Sequence, residues 1–182
     1  MQSLHPSPSG AVPASMPVYR PHVLREDASH HVLAWSSAPS SEDLAFAARL
    51  VCEVRGRHTL LNAADCGGHE GLLEALEAAL ENARAGTHLY LSGTEQQVWQ
   101  LYNTACAHGM HPQEISVQRS AESLSPVYCV HCSTYQETGD TGLTTCVHCG
   151  VHLVIRDHFS RLLGAYMGVV ADADRPFGKA LR

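Results

Sequence analysis

From residue 30 to residue 118 the apolar positions switch repeatedly between the period of a strand and the period of a helix. HHVLAWS (30–36) is a short apolar run, as expected of a central strand. SSEDLAFAARLVCEVRG comes next and predicts a helix. Ser40 or Ser41 caps its start, Glu42 and Asp43 suit the positive end of its dipole, and Gly56 marks its stop. HTLLNA (58–63) is a second strand. HEGLLEALEAALENARAG (69–86) places Leu72, Leu73, Leu76, Ala79, Leu80 and Ala83 on one face, with Gly86 at its end. THLYLSG (87–93) is a third strand. TEQQVWQLYNTACAHGM (94–110) is a third helix, with Val98, Leu101, Tyr102 and Ala105 on one stripe and Gly109 as its stop. EISVQ (114–118) is a fourth strand. Strands that alternate with helices imply a parallel sheet joined by right-handed crossovers.

The pattern changes at residue 126. PVYCVHCSTYQETGDTGLTTCVHCGVHLVIRDHFS (126–160) carries two Cys-x-x-Cys pairs, Cys129 with Cys132 and Cys146 with Cys149, thirteen residues apart. A two-residue gap lets both sulfurs of a pair face one ion, so the four cysteines fit a zinc ribbon with tetrahedral sulfur ligation. Gly150 permits a tight knuckle. The polar stretch 133–145 between the pairs suits a hairpin, and VHLVI (151–155) supplies a strand. Zn²⁺ is the first reading of the metal, and the site is then structural, because zinc has no redox role and the four protein ligands leave no open position. Iron is the alternative, and would make the ribbon a rubredoxin-like one-electron carrier. Rubredoxins favour Gly after both pairs, whereas Ser133 comes after the first pair here. His131, His148, His152 and His158 lie nearby and read as solvated or supporting groups. Cys52 and Cys106 read as small buried apolar residues on helices, and Cys66 as a cysteine of a Gly-rich loop.

Composition bounds the rest. The chain has 182 residues, 45% of them hydrophobic and 16% charged, which is globular. No apolar run of about 18 residues is present, so no membrane span is expected. MQSLHPSPSGAVPASMP lacks the charged start and apolar stretch of a secretory signal, which favours the cytoplasm, where thiols stay reduced. Net charge is −6 and the only lysine is Lys179. Between 127 and 160 the only Lys or Arg is Arg156. A phosphate backbone needs clustered Lys and Arg, so nucleic acid is not an expected partner.

Two resemblances rest on these residues. GTHLYLSGTEQQVWQLYNTACAHGMHPQEISVQ (86–118) resembles the last third of the nicotinamide-binding module of the ferredoxin-reductase family, which implies a nucleotide-type scaffold. Ser92-Gly93-Thr94 stands where that family has Cys-Gly-Pro, and WSSAPSSEDL (35–44) lacks the glycines that a close phosphate approach needs. NADPH binding by residues 30–118 therefore stays open, beside a scaffold without nucleotide.

The ribbon and the residues C-terminal to it resemble the small accessory subunit family of dimethylamine monooxygenase. The resemblance is carried by His158-Phe159-Ser160-Arg161, Gly164-Ala165-Tyr166-Met167-Gly168-Val169 and the acidic Asp172-Ala173-Asp174. It implies a non-catalytic part of a complex that uses NADPH and O₂ to convert dimethylamine to methylamine and formaldehyde. Other subunits of that complex carry the haem chemistry and the flavin and iron–sulfur electron delivery. The expected fold is α/β: a flexible tail (1–29), a Rossmann-like parallel sheet domain (30–120), a small zinc ribbon (127–156) and an apolar C-terminal tail (157–182). That tail either docks on a partner or packs on the chain itself.

Overall fold

The computed structural model describes residues 15–54, 57–121, 124–139 and 142–174. Its first half alternates strand and helix: β1 (His30–Trp35), α1 (Ser41–Val54), β2 (His58–Asn62), α2 (His69–Glu81), β3 (Thr87–Gly93), α3 (Glu95–Ala107), a short 3₁₀ turn (Pro112–Glu114) and β4 (Ile115–Arg119). The four strands form a parallel sheet in the order β2-β1-β3-β4.

Helices cover both faces of this sheet, which explains why its middle strands β1 and β3 are buried almost throughout. Val32, Ala34, Leu89 and Leu91 face one core with Leu72, Leu76 and Leu80 of α2 and Val98, Leu101 and Ala105 of α3. Leu33, Trp35 and Tyr90 face the other core, against Ala47, Leu50 and Val54 of α1. The helix α1 starts with a capping box. Asp43 N–H donates to Ser40 Oγ at 3.2 Å, and Ser40 N–H donates back to Asp43 Oδ2 at 2.9 Å. Gly56 lies outside the described residues. Helix α2 stops at Glu81 rather than at Gly86. Asn82 is its C-cap, and Gly86 (φ 85°) belongs to the turn into β3.

Residues 15–29, composed like a tail, lie along the parallel-sheet unit as a strap. Met16 and Tyr19 pack against the α2–α3 core and Leu24 against the α1 core. His22 N–H donates to Gln118 Oε1 at 3.1 Å, and Arg25 N–H donates to the Tyr90 hydroxyl at 3.0 Å. Residues 1–14 lie outside the described residues.

The second half is a five-stranded sheet: β5 (Ser125–Cys129), β6 (Thr134–Thr138), β7 (Leu143–Thr145), β8 (His152–Ser160) and β9 (Ala165–Val170), in the order β6-β5-β9-β8-β7. Two expectations change here. The stretch 133–145 forms no hairpin, because β6 and β7 stand at opposite edges of the sheet. The sheet curls until the Gln136 side chain bridges those edges, donating to Thr145 O (3.2 Å) and accepting from Val147 N–H (2.9 Å). Residues 157–170, read as part of a C-terminal tail, are built into the sheet as the end of β8 and the middle strand β9. Phe159 is 2% exposed and joins the core of the parallel-sheet unit, its ring 5.4 Å from that of Trp99. Phe159 and Tyr166 thus pack on the chain's own core, which is the packing alternative, whereas Leu162 is 82% exposed.

Among the described residues no helix is long and apolar enough to cross a membrane.

Candidate metal centre

Cys129 ends β5, and Cys132 lies in the turn before β6; Cys146 and Cys149 bracket the turn before β8. Their four sulfurs lie within 4.8 Å of one another. Cys129 Sγ stands 3.9 Å from Cys149 Sγ, and Cys132 Sγ 3.6 Å from Cys146 Sγ. A tetrahedral ion with metal–sulfur bonds of about 2.3 Å places its sulfurs about 3.8 Å apart, so the side chains already stand at ligand spacing.

The two pairs are built alike. Ser133 N–H donates to Cys129 O at 2.8 Å, and Gly150 N–H donates to Cys146 O at 2.9 Å. The residue after each pair is left-handed, Ser133 at φ 58° and Gly150 at φ 73°. Ser133 therefore takes the role of a knuckle glycine at some strain. The tight turns aim the main chain at the first sulfur of each pair. N–H groups of Cys132 and His131 point at Cys129, and those of Cys149 and His148 point at Cys146.

The electrostatics ask for a cation. Burial pushes the Cys129 thiol up. At Cys146 burial is outweighed by the N–H groups of Cys149 and His148 and by the Cys149 and Cys132 thiols, and its pKa falls to about 6. At Cys149 the Val151 N–H favours the thiolate, but desolvation and the three neighbouring thiols push it up to about 12. One thiolate forms readily and then opposes the rest. A divalent cation at the centre removes that opposition.

The metal-competent group among the described residues is the four cysteines alone. His131, His148 and His158 are exposed. His148 Nε2 lies 3.1 Å from Tyr135 O, and His152 Nδ1 3.0 Å from Thr145 Oγ1. Cys66 and Cys106 are half-buried, and Cys106 packs against the α2–α3 core. Cys52 is exposed, contrary to expectation. The buried residues of α1 are Asp43, Ala47, Leu50 and Val54, and Cys52 falls off that stripe.

A cavity of about 650 Å³ opens at the carboxyl ends of β3 and β4, beside the first turn of α1. Its lining includes Ser37, Glu42, Asp43, Ser92, Thr94 and Arg119. Asp43 Oδ1 accepts from Ser92 Oγ at 2.7 Å, so this carboxylate closes the first turn of α1 from inside the chain. In the sequence Ser92 stands out only as a departure from Cys-Gly-Pro, and Asp43 only as a helix-start residue. Their meeting across 49 residues has no local signal.

Residues 54–115 match the N-terminal domain of the dimethylamine monooxygenase subunit DmmA-like family, and residues 126–169 match its C-terminal domain. A curated relative, the heme-dependent oxidative N-demethylase delta subunit of Ectopseudomonas mendocina (strain ymp), is 41% identical over 165 residues, covering 91% of this chain and 93% of the relative. No solved structure matches the chain. Both halves match that family's two domains in order, and the relative runs nearly end to end with the chain, which belongs to the dimethylamine monooxygenase subunit DmmA-like family.

Proposed function

We propose that this chain is a non-catalytic accessory subunit of an NADPH- and O₂-dependent dimethylamine monooxygenase, working in the cytoplasm. Its Cys129, Cys132, Cys146 and Cys149 hold a structural Zn²⁺, and the ribbon so formed joins the chain to its partners. Those partners are a haem-containing catalytic subunit and a reductase subunit that carries flavin and an iron–sulfur centre. The reaction they perform is oxidative N-demethylation of dimethylamine to methylamine and formaldehyde. The observation that carries this reading is the 41% identity, over nearly the whole chain, to a delta subunit of a heme-dependent oxidative N-demethylase. The closed set of four sulfurs supports a structural metal, since four protein ligands leave no position for substrate. The parallel sheet is of the Rossmann-like, nucleotide-binding type. The carboxylates of Glu42 and Asp43 in the first turn of α1 disfavour a phosphate there, so the scaffold works without NADPH.

The test is elemental analysis of the complex co-purified from its native host, together with calorimetric titration of the isolated chain with NADPH. The expected result is one zinc per chain, haem and flavin on co-purifying subunits, and no heat of NADPH binding. A red isolated chain containing iron would replace this reading with the electron carrier. Tight NADPH binding would replace it with a reductase component.

A further inference from the structure

Every sulfur of the cluster meets a donor from the protein, and one donor differs in kind. Cys129 and Cys146 each face two main-chain N–H groups, and Cys149 faces the N–H of Val151. Cys132 Sγ lies 2.9 Å from Thr134 Oγ1. Thr134 and Val151 are equivalent positions, two residues past the second cysteine of each pair and one past the left-handed Ser133 or Gly150. One knuckle therefore brings a side-chain hydroxyl to its second sulfur from the position where the other brings a main-chain N–H. The main chain that carries the hydroxyl is held in place, since Thr134 opens β6 and pairs with Cys129 on β5.

A metal-bound thiolate carries no proton, so in the loaded site the hydroxyl is the donor. Donation draws electron density from the sulfur and holds its direction. Cys129 and Cys146 are buried, whereas Cys132 and Cys149 are both half-buried and within reach of small reagents. Of these two, Cys132 has the hydroxyl beside it, so Cys149 serves as the internal control.

We propose that Thr134 is a positioning residue of the metal centre: its hydroxyl keeps the Cys132 thiolate on the ion and lowers that sulfur's reactivity toward electrophiles. The inference rests on the metal reading above. It is tested on the full chain loaded with Zn²⁺ or Co²⁺, comparing wild type, Thr134→Val and Thr134→Ser. Iodoacetamide is the probe, with zinc release followed by a chromogenic chelator and the alkylated cysteine identified by peptide mass. In Thr134→Val, alkylation at Cys132 is expected to rise about 10-fold, with Cys149 unchanged. The sulfur-to-cobalt charge-transfer band should move to longer wavelength, because the sulfur lone pair is no longer stabilised. Thr134→Ser should restore both readouts; a purely packing role for the threonine methyl would leave the serine variant impaired. If Thr134→Val fails to fold, Thr134→Ala takes its place against the same serine control. Metal-loaded Thr134→Val with wild-type rate and band overturns the role of Thr134 alone. A wild-type chain that takes up neither metal overturns the metal reading and this inference together.

Discussion

Tyr166, on the middle strand of the second sheet, donates its hydroxyl to Glu95 in the first turn of α3 at 3.3 Å. The same carboxylate oxygen accepts from Tyr19 of the strap at 2.6 Å, and Arg119 Nη1 lies 3.5 Å from the other oxygen. Glu95 is 0% exposed. A buried carboxylate persists only where donors and a countercharge replace water. Here they come from the strap, from β4 and from β9, so Glu95 ties both sheets and the strap together. Trp99 Nε1–H donates to the Tyr19 hydroxyl at 2.9 Å and extends the network.

Removing Glu95 should therefore be felt across the chain. Glu95→Ala removes the acceptor of two tyrosine hydroxyls and the carboxylate 3.5 Å from Arg119 Nη1, and a loss of about 3–5 kcal/mol is expected. Tyr166→Phe removes one hydrogen bond to a charged group and should lose about 1.5–3 kcal/mol. Urea unfolding followed by tryptophan fluorescence measures both, since Trp35 and Trp99 are in the parallel-sheet half. A Tyr166→Phe variant as stable as wild type would mean that the two halves do not depend on this contact.

Truncation gives a sharper view of the C-terminal strands. A chain ended after Ile155 loses half of β8 and all of β9, which lies between β5 and β8. It also loses Gly168 O, the acceptor of Val130 N–H at the first knuckle (3.1 Å). The truncated chain should fail to retain metal and should show hydrogen-exchange protection only in the parallel-sheet half. If it retains one metal per chain, β9 is dispensable to the ribbon and residues 157–170 are an appendage after all.

Periodicity read the first half well, because the strands and helices there are determined by local pattern. All four strands of the parallel sheet start within a residue of their expected positions. The meeting of the four sulfurs was equally readable, since two Cys-x-x-Cys pairs encode proximity directly. What failed was non-local. GAYMGVV carries no sign that it inserts between β5 and β8, and an apolar run reads the same whether it covers a partner or its own chain. Glu95 looks like any acidic residue complementing a helix start; its burial depends on Tyr19, 76 residues earlier, and Tyr166, 71 residues later. Ser133 gave no hint of a left-handed backbone, because that conformation is imposed by the knuckle.

The two left-handed positions predict opposite effects. Ser133→Gly relieves a non-glycine residue at φ 58° and should stabilise the metal-free ribbon by a few tenths of a kcal/mol to about 1 kcal/mol, offset in part by unfolded-chain entropy. Gly150→Ala imposes the same strain at φ 73°, with open space around the new Cβ, so its expected loss of about 1 kcal/mol is conformational alone. Thermal melts of both variants, with and without Zn²⁺, measure this. Equal melting temperatures for Gly150→Ala and wild type would remove the knuckle assignment.

Acid should loosen the parallel-sheet half through its buried histidines. His88 is 5% exposed, lies 4.7 Å ring to ring from Tyr90, and places Nε2 2.9 Å from Ser116 Oγ. Burial lowers its pKa from the ordinary 6.5 to about 4, helped by Arg25 and His31 and opposed by Asp27. Burial lowers His22 to about 4 as well, against the Asp43 carboxylate. Both groups are bases whose folded pKa is depressed, so the unfolded chain binds more protons between pH 6.5 and 4. Their neutral burial is tolerated fully above pH 6.5. Stability falls as pH drops through that window and stops falling, as far as these groups are concerned, below pH 4. The gap at His88 corresponds to roughly 3 kcal/mol as an upper figure. Urea unfolding at pH 7, 5.5 and 4 should show the decline, and His88→Gln, which keeps a polar partner for Ser116 and cannot titrate, should make it shallower, with His22 supplying part of what is left. Metal loss in acid acts on both chains alike, so the difference between them isolates the histidine. An identical slope in His88→Gln would place the acid sensitivity elsewhere, with the four sulfurs as the next group to examine.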